Sequence, residues 1–479
     1  MSSINYSNSN TNPSIILNKF FKLLLISGFI FYIIYILLFF NPYYNISTFF
    51  TKSSPKGPEL ATSSFSPTNI SDIVFSIAGS TTTWWERTSY IESWWKPNIT
   101  RGYVFFEKNP QEITPWPKYY PQFRISENTS KYKDYDKHLF RQAIRVTRLI
   151  LETFNVENEG VRWYILADDD TIFFVNNLVD VLGKYDHNKY FYIGMNSECH
   201  ASNYYHSFEM AFGGAGFALS YPLAKALVKN LDVCLKRYPN LYGSDHILQS
   251  CVADLGVSIT QEKGFHQIDL HNDISGLLSA HPQSPLLSLH HLHEVDPIFP
   301  SLNRSESLNH LVKAAKIDES RLLQQTICYH KPKNWTFSIS WGYSVHVYES
   351  ILLPSILRKP LQTFTPWSKS AKPFFVFDTR FPSKNPCEAP HVFFFDSVER
   401  GDYVVMSYGR SKARGLPTCT AGGNHSADSM SKIYVLTPRR KHDLIGGKRE
   451  CCDVVNIKQG MDATEIKLRD CLENEILPP

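Results

Sequence analysis

Three consecutive aspartates, Asp168, Asp169 and Asp170, follow directly on an apolar run in "VRWYILADDDTIFFVNN" (residues 161–177). The run 163–167 predicts a buried strand, which places the carboxylates at a strand's carboxyl end, where open α/β sheets bind ligands. Like charges this close resist joint ionisation unless a cation compensates them. A divalent cation held by one or two carboxylates commonly bridges to a diphosphate. An exposed acidic turn, or a charge cluster at a helix N-terminus, is the alternative interpretation.

A glycine-rich turn is the second feature. The stretch "MAFGGAGFALSYPLAKAL" (residues 210–227) places Gly213, Gly214 and Gly216 before a helix that we expect to begin near Pro222. Glycine permits positive φ and close approach of the backbone. The G-G-x-G spacing differs from the G-x-G-x-x-G of dinucleotide-binding folds. The turn therefore either approaches a substrate or connects packed elements.

A further carboxylate, Asp245 in "LYGSDHILQSC", lies at the start of a predicted helix. An aspartate in this position is either a helix cap or a general base. The residue pattern leaves both interpretations open.

Histidines follow in two groups. His266 and His271 lie in "KGFHQIDLH", where a histidine can complete the coordination sphere of an acidic metal loop, although a lone histidine is more often structural. His290, His291 and His293 lie in "LSLHHLHEVDPIFP". The H-H-x-H spacing can chelate a metal but lacks the regular pattern of a zinc site. Packing or substrate contact is the favoured interpretation for this second group.

Elements that would position these residues alternate along the chain. An apolar strand at 73–78, a helix with Trp84, Trp85, Ile91, Trp94 and Trp95 on its buried face, and a strand in "RGYVFFEK" predict a βαβ unit. The stretch "DKHLFRQAIRVTRLILETFN" (136–155) predicts one amphipathic helix. Alternation continues to about residue 300, which predicts an α/β domain with a mostly parallel central sheet.

From about His330 the composition changes. The stretches "NWTFSISWGYSVHVYES", "PFFVFD", "HVFFFDSV" and "GDYVVMSYG" predict strands, hence a smaller β-rich C-terminal module. We predict five regions: a cytosolic tail (1–22), a transmembrane signal anchor (23–40), a stem (41–70), the α/β domain (71–300) and the β-rich module (301–479).

Composition narrows the function classes. The chain has 479 residues, 43% of them hydrophobic and 14% aromatic, enough for one large domain or two ordinary ones. The formal net charge is only +4, and no basic block tracks a phosphate backbone. Nucleic-acid binding is therefore a poor starting hypothesis.

The uncharged run "LLLISGFIFYIIYILLFF" (23–40) is long enough, as a helix, to cross a membrane. A cleaved signal peptide is the alternative, but the run exceeds the usual h-region and no small-x-small cleavage site follows. Lys19 and Lys22 precede the run, whereas the next basic residue is Lys52. This asymmetry predicts a cytosolic N-terminus and a luminal remainder, reached through a Ser/Thr/Pro-rich stem.

Cysteines and sequons agree with a luminal placement. All nine cysteines lie beyond the apolar run, and their odd number predicts disulfides with at least one cysteine left over. Cys234–Cys251 is one bridge that two adjacent helices could form, although spacing alone does not decide it. Sequons beyond the run begin at Asn45, Asn69, Asn98, Asn128, Asn303, Asn334 and Asn424.

The ordered run "WYILADDDTIFF", "GGAGFALSYPLA", "GSDHILQSC" and "GFHQ" resembles the fringe-like glycosyltransferases, which add a sugar in β-1,3 linkage in the Golgi. The stretches "WWKPNITRGYVFF", "HPQSPLLSLHHLHEVDPIFP" and "KRECCDV" resemble more closely the plant fringe-related proteins. The resemblance covers about residue 70 to the C-terminus. It implies a GT-A type nucleotide-sugar-binding fold.

The resemblance also implies roles for single residues. Asp170 is the expected direct ligand of Mn²⁺ bound to the donor diphosphate, and His266 matches the family's metal-binding histidine. Asp168 and Asp169 are expected to contact the nucleotide or to orient the loop. Asp245 matches the general base, although this chain reads Gly-Ser-Asp where fringe enzymes read Pro-Asp-Asp.

Together these features predict an inverting, UDP-sugar-dependent glycosyltransferase of the Golgi membrane, single-pass type II with a luminal catalytic domain. Its expected partners are a UDP-sugar, a glycan or glycoconjugate acceptor and the membrane, with no nucleic acid and with self-association left open. Gly213, Gly214 and Gly216 would help fix the in-line geometry. The alternatives are a luminal glycan- or nucleotide-sugar-binding partner without turnover and, more weakly, a phosphohydrolase that uses an aspartate of the triplet as nucleophile.

Overall fold

The computed structural model of the chain describes residues 13–39, 66–110, 115–138, 140–420, 426–439, 449–457 and 463–476. Much of the predicted tail, most of the predicted stem, and the sequons at Asn45 and Asn424 lie outside the described residues. The chain divides into two compact units, Met1–Ser66 and Pro67–Pro479.

The first unit contains one described helix, α1 (Pro13–Phe39). Across the described residues, no helix combines the length and the apolar character that a membrane crossing requires. The transmembrane anchor predicted at 23–40 is therefore not supported by the structure.

The second unit holds all the other described elements. It begins with β1 (Ile73–Ala78), α2 (Trp84–Trp94), β2 (Arg101–Phe106), β3 (Gln122–Ile125), α3 (Gln142–Thr147), α4 (Leu149–Val156), β4 (Trp163–Asp168), β5 (Ile172–Phe173) and α5 (Val175–Leu182). It continues with β6 (Tyr192–Gly194), α6 (His200–Tyr205), β7 (Phe217–Ser220), α7 (Tyr221–Arg237), α8 (Ser244–Ala253), β8 (Ile259–Gln261), β9 (Phe265–His266), β10 (Leu270–Asn272), α9 (Ser275–Leu278) and β11 (Ser288–Leu289). It ends with α10 (Arg304–Ala315), β12 (Gln325–His330), β13 (Trp335–Ser340), β14 (Ser344–Tyr348), α11 (Pro354–Leu357), β15 (Phe364–Pro366), β16 (His391–Arg400), β17 (Tyr403–Arg410), β18 (Lys432–Pro438), β19 (Cys451–Ile457) and β20 (Ala463–Arg469).

A central sheet carries the aspartate triplet. Within the described segments its seven strands follow the order β3-β2-β1-β4-β7-β6-β8. Only β7 runs antiparallel to its neighbours β4 and β6, whereas the other four pairings are parallel. The fold is therefore mixed α/β with a mostly parallel central sheet, as the alternation of strands and helices predicts.

Strand β1 shows why this sheet lies at the centre. All six of its residues are buried. Ile73, Phe75 and Ile77 belong to one hydrophobic cluster and Val74 to another. Because side chains alternate between the two faces of a strand, both faces are covered, which is typical of parallel sheets. The central strand β4 pairs with β1 from Ile73↔Trp163 to Ala78↔Asp168.

A small three-stranded sheet in the order β5-β11-β9 brings distant segments together. Leu289 is paired with Ile172 on one side and with His266 on the other. His290 continues this pairing, since its N–H donates to the carbonyl of His266 over 3.1 Å. Leu289 and His266 therefore share one face of the sheet, and the next side chain, His290, lies on the opposite face.

The C-terminal third forms a second large sheet. Its described part has eight strands in the order β12-β13-β14-β16-β17-β18-β20-β19, and only β18–β20 is a parallel pair. One hydrophobic cluster includes Ile77 of β1 together with Trp341 and Leu468 of the C-terminal part. The predicted boundary after residue 300 thus lies inside one compact unit.

Two expected elements differ from the structure. The helix predicted at 136–155 begins only at Gln142 and is interrupted at Arg148. The guanidinium of Arg148 is buried there and bonds to Glu127 and Asp232, both at 2.7 Å. The stretch 373–378 is not a strand, because its only ladder contact is an isolated bridge between Phe375 and Cys199.

The cysteines, all of which lie in described segments, form four disulfides: Cys234–Cys251, Cys328–Cys452, Cys387–Cys419 and Cys451–Cys471. Cys199 is free and buried. The expectation of disulfides with one cysteine left over is confirmed, and the bridge between α7 and α8 is present.

Candidate active site

The aspartate triplet occupies a turn that the backbone holds firmly. Asp168 is the last residue of β4, and the N–H of Asp169 donates to the carbonyl of Ala78 at the end of β1 over 3.1 Å. Thr171 closes the turn: its hydroxyl accepts from the N–H of Asp168 and donates to the carbonyl of Gly214 over 2.7 Å. The carboxylates therefore lie at the carboxyl edge of the central sheet, beside the glycine turn.

Basic side chains of the protein itself face the triplet. Arg87 of α2 places Nη1 2.8 Å from Asp169 Oδ1 and Nη2 3.6 Å from Asp170 Oδ2. His290 Nε2 lies 3.1 Å from Asp170 Oδ1, and His293 Nδ1 lies 3.1 Å from Asp170 Oδ2. The crowding of three carboxylates is thus relieved in part by one guanidinium and two imidazoles.

These neighbours set the ionisation of the cluster. Burial opposes the charge of Asp170, whose side chain is 1% exposed, but His290, His293 and Arg87 hold its pKa well below the ordinary value. Burial also opposes the charge of His290, yet the carboxylate of Asp170 raises the pKa of that imidazole to about 9. Burial and the adjacent Asp170 raise the pKa of Asp169. The pair Asp170–His290 is therefore an ion pair at neutral pH.

Asp168 has a different environment. Its side chain is 40% exposed, and its Oδ2 lies 3.8 Å from His290 Nε2. Burial raises its pKa, His290 opposes that shift, and the carboxylates of Asp170 and Asp245 add to it. Asp168 is the member of the triplet that is open to a ligand.

The donor set fits a divalent cation. Asp168, Asp170 and His290 each offer one ligand atom, and these atoms lie within 4.8 Å of one another. Asp170 Oδ2 is buried and makes no hydrogen bond of good geometry among the described residues, although His293 Nδ1 and Arg87 Nη2 face it at 3.1 and 3.6 Å. Carboxylate oxygens with one imidazole nitrogen suit ions such as Mn²⁺.

The glycine turn allows two functional side chains to approach the backbone. A Cβ on Gly214 would fall 2.1 Å from His290 Cε1, and a Cβ on Gly213 would fall 2.4 Å from Asp245 Oδ1. Gly216 has φ +81°, a conformation that favours glycine. The turn therefore makes room for His290 and Asp245, and its contact with substrate stays a prediction.

Asp245 lies in the first turn of α8 and does not cap it, since the N-cap is Gly243. Its Oδ2 accepts from the N–H of Gly213 over 2.8 Å, and its Oδ1 accepts from the hydroxyl of Ser244 over 3.1 Å. Burial raises its pKa despite these hydrogen bonds. Asp245 and Asp168 line the same small cavity. The structure thus brings Asp245 to the aspartate triplet, with its carboxylate held in a fixed orientation.

An aromatic rim adjoins Asp245. The ring of Tyr242 stacks on Phe140 with centroids 5.8 Å apart and on His206 at 6.1 Å. Tyr242 and Phe140 are 52% and 45% exposed. Tyr242, Phe140 and His206 thus form a partly exposed aromatic surface next to the start of α8.

His266 does not join Asp170. Its Nδ1 lies 2.8 Å from Glu198 Oε1, and its ring lies edge-on to His281 with centroids 5.5 Å apart. These three residues form a ligand group separate from the one at Asp168 and Asp170. The reason is the register of the small sheet, which directs His266 away from His290.

The remaining histidines make other contacts. His271 and His291 both stack on Trp367, with ring centroids 4.6 and 4.9 Å from that ring. His291 Nδ1 lies 3.1 Å from Asp269 Oδ1. Sequence reasoning gave His290 and His293 a packing or substrate role and did not single out Arg87. The H-H-x-H spacing was the available signal for the histidines, whereas Arg87 has no signal beyond its place on a helix beside β1.

Comparisons with known proteins give a family match and distant structural likenesses. The crystal structure of mouse xyloside xylosyltransferase 1, apo form, aligns with 42% of this chain and 85% of its own, at 7% identity and a TM-score of 0.26. That score is too low to support an argument. No curated protein matches the chain. The family described as "Protein of unknown function, DUF604" matches residues 202–452, just over half of the chain, from α6 to β19. The chain belongs to the DUF604 family.

Proposed function

We propose that this protein is a metal-dependent glycosyltransferase that moves a sugar from a UDP-sugar to a hydroxyl of a glycan or glycoconjugate, with inversion at the anomeric carbon. One observation carries the proposal: Asp168, which forms one group of ligand atoms with Asp170 and His290, lines the same small cavity as a second, separately held carboxylate, Asp245. A cation site and a candidate base thus lie side by side at the carboxyl end of β4.

Asp170, Asp168 and His290 are the residues that would hold the ion. When bound there, a divalent ion supplies Lewis-acid stabilisation of the charge on the departing diphosphate. Arg87 keeps Asp169 paired and adds positive charge at the same edge. Ligation by His290 requires its neutral form, so the ion must displace the proton that Asp170 favours on that imidazole.

Asp245 is the proposed general base. The acceptor hydroxyl gives its proton to the Asp245 carboxylate while its oxygen bonds to the anomeric carbon, and the bond from that carbon to the diphosphate oxygen breaks on the opposite face. The N–H of Gly213 and the hydroxyl of Ser244 fix the orientation of the carboxylate. Burial makes it more basic than an exposed aspartate. The rim of Tyr242, Phe140 and His206 would receive the acceptor.

Several finer assignments rest on the resemblance to fringe-like enzymes. They are the β-1,3 linkage, Mn²⁺ as the ion, UDP as the nucleotide and the Golgi membrane as the location. His266 is not retained as a ligand of this ion, because it lies in a different cluster.

A second candidate is a nucleotide-sugar-binding protein without turnover. The observation in its favour is that Arg87 and His290 already balance much of the charge on Asp170, and His293 faces its other oxygen. Such a site is stable without a metal and could bind a ligand without processing it.

The test is release of UDP from a set of UDP-sugars by the full-length chain, with and without Mn²⁺. We expect slow, Mn²⁺-dependent release from one donor and its loss in Asp170→Ala. Binding of UDP-sugars without release would favour the second candidate. Release that is unchanged in Asp170→Ala would remove the proposed metal site.

A further inference from the structure

A second group of ligand atoms lies outside the candidate active site. Glu198, His266 and His281 each offer one atom, and these atoms lie within 4.8 Å of one another. They line a cavity of about 440 Å³ together with Asn196 and Phe377. Because the register directs His266 and His290 to opposite faces of the small sheet, this cavity is separate from the cleft at Asp170.

The imidazole of His266 is oriented so that its Nε2 can bind a metal ion. A carboxylate only accepts hydrogen bonds, so the 2.8 Å contact with Glu198 Oε1 fixes the proton on His266 Nδ1. The lone pair of a neutral His266 is then on Nε2, which is buried and has no hydrogen-bond partner among the described residues. The residue is only 3% exposed. A histidine oriented by a carboxylate on its other nitrogen is the usual arrangement of a metal ligand.

The backbone supports this orientation. Glu198 Oε2 accepts from the N–H of Ile268 over 2.8 Å, so both oxygens of the carboxylate are fixed. Ile268 has φ +51°, which is rare for a β-branched residue and costs conformational energy. Asn196, 8% exposed, lines the same cavity, and its Oδ1 also has no hydrogen-bond partner among the described residues. Two buried lone pairs therefore border one cavity.

The surroundings select the kind of ion. Lys263, Arg358 and Lys359 also line the cavity, and Lys359 pairs with Asp378 at 3.0 Å. These charges disfavour ions that are held by charge alone, such as Mg²⁺ and Ca²⁺. The same positive charges are less unfavourable for an ion that bonds to imidazole nitrogen and keeps open positions for water or an anion.

We propose that His266 and His281 bind a divalent transition-metal ion of the Zn²⁺ class, with Glu198 orienting His266. The ion joins three segments that are distant in sequence: the loop after β6, strand β9 and the residues that follow α9. It stabilises the small sheet from the face opposite to His290.

The experiment uses the full-length chain without a histidine tag, in an Asp170→Asn background that removes the site at the aspartate triplet. Co²⁺ is titrated as the probe, because its visible absorption reports nitrogen ligation, and Zn²⁺ is then added as competitor. We expect one equivalent of Co²⁺ to bind and Zn²⁺ to displace it, whereas Mg²⁺ does not. His281→Gln in the same background should weaken Co²⁺ binding at least tenfold.

His266→Gln is the second variant, and circular dichroism with a thermal melt shows whether each chain is folded. His281 is less buried than His266, so His281→Gln keeps the test valid if His266→Gln does not fold. Zn²⁺ should raise the Tm of the Asp170→Asn chain and not that of the double variants. Equal Co²⁺ affinity in folded His281→Gln, or no Co²⁺ binding by the folded background chain, would overturn the proposal.

Discussion

Gly214 lies so close to His290 that a Cβ at this position would fall 2.1–2.6 Å from three atoms of the imidazole. The contact joins the glycine turn to the histidine that faces Asp170. Any side chain at position 214 must therefore displace the imidazole or the turn. The glycine turn and the aspartate triplet are thus one unit.

Gly214→Ala should disrupt the candidate active site. The added methyl group would move His290 away from Asp170, so Mn²⁺ affinity should fall at least tenfold and activity should fall with it. Isothermal titration with Mn²⁺ measures the effect. Gly409→Ala is the matched control, because a Cβ at Gly409 meets nothing within 4 Å. Equal Mn²⁺ affinity in Gly214→Ala and the control would contradict the coupling.

Asp245→Asn should separate binding from turnover. The amide keeps the size of the side chain and cannot take the acceptor proton, so kcat should fall by about 10²–10⁴-fold. Mn²⁺-dependent UDP affinity should change less than threefold. Asp402→Asn, an exposed aspartate distant in sequence, is the control. Unchanged kcat in Asp245→Asn would remove this residue as the base.

Arg87→Gln should lower stability and make it depend on metal. The substitution leaves the buried carboxylates of Asp169 and Asp170 without their guanidinium. Since Arg87 is 28% exposed, the loss should be about 1–3 kcal/mol, less than for a fully buried pair. Thermal melts with and without Mn²⁺ measure it, and Mn²⁺ should restore part of the lost Tm. Arg87→Lys keeps the charge and should lose less. If Mn²⁺ does not raise the Tm of Arg87→Gln, a bound metal does not replace the charge of the lost guanidinium.

Glu152 in α4 should give stability a dependence on pH. Burial raises the pKa of Glu152 to about 7, outweighing the N–H of Glu127 and the charge of Arg148, which lower it. Between the ordinary carboxyl pKa and about 7 the native state binds more protons than the unfolded state. The free energy of unfolding therefore falls as pH rises through this window.

Glu152→Gln should remove that slope and raise stability at neutral pH by about 1–3 kcal/mol. Urea melts at pH 5, 6, 7 and 8 measure the effect, and Glu159→Gln, at an exposed position, is the control. A slope that stays the same in Glu152→Gln would show that another group controls it.

The sequence predicts β1, β2 and β4 of the central sheet well, but it does not predict β3 or β7. The stretch 73–78 is apolar except for Ser76 and is followed by Gly79, and β1 has these bounds. The sequence also predicts helix α2, but it assigns one exposed residue of this helix to the buried face. Trp84 and Trp94 are buried as expected, whereas Trp85 is 42% exposed, because helical spacing identifies a face only to within neighbouring positions.

The site is predictable only where local pattern decides it. Asp168–Asp170 at a strand end and Asp245 at a helix start follow from local sequence. The partners of Asp170 do not, because they depend on how β5, β9 and β11 are paired. His266 is paired with Leu289, so His290, the next residue along the chain, lies on the opposite face of the small sheet. A resemblance of short motifs cannot supply that information.

The disulfide Cys328–Cys452 has a consequence for the whole C-terminal sheet. It joins β12 to β19, which are the two ends of the eight-strand order. A sheet whose edge strands are tied together offers no long free edge to another chain, so strand addition and aggregation are suppressed. Because the bond spans 124 residues of sequence, it forms only after the chain has been synthesised as far as Cys452. The bond needs oxidising conditions to form, so under reducing conditions β12 and β19 would be free edges open to strand addition.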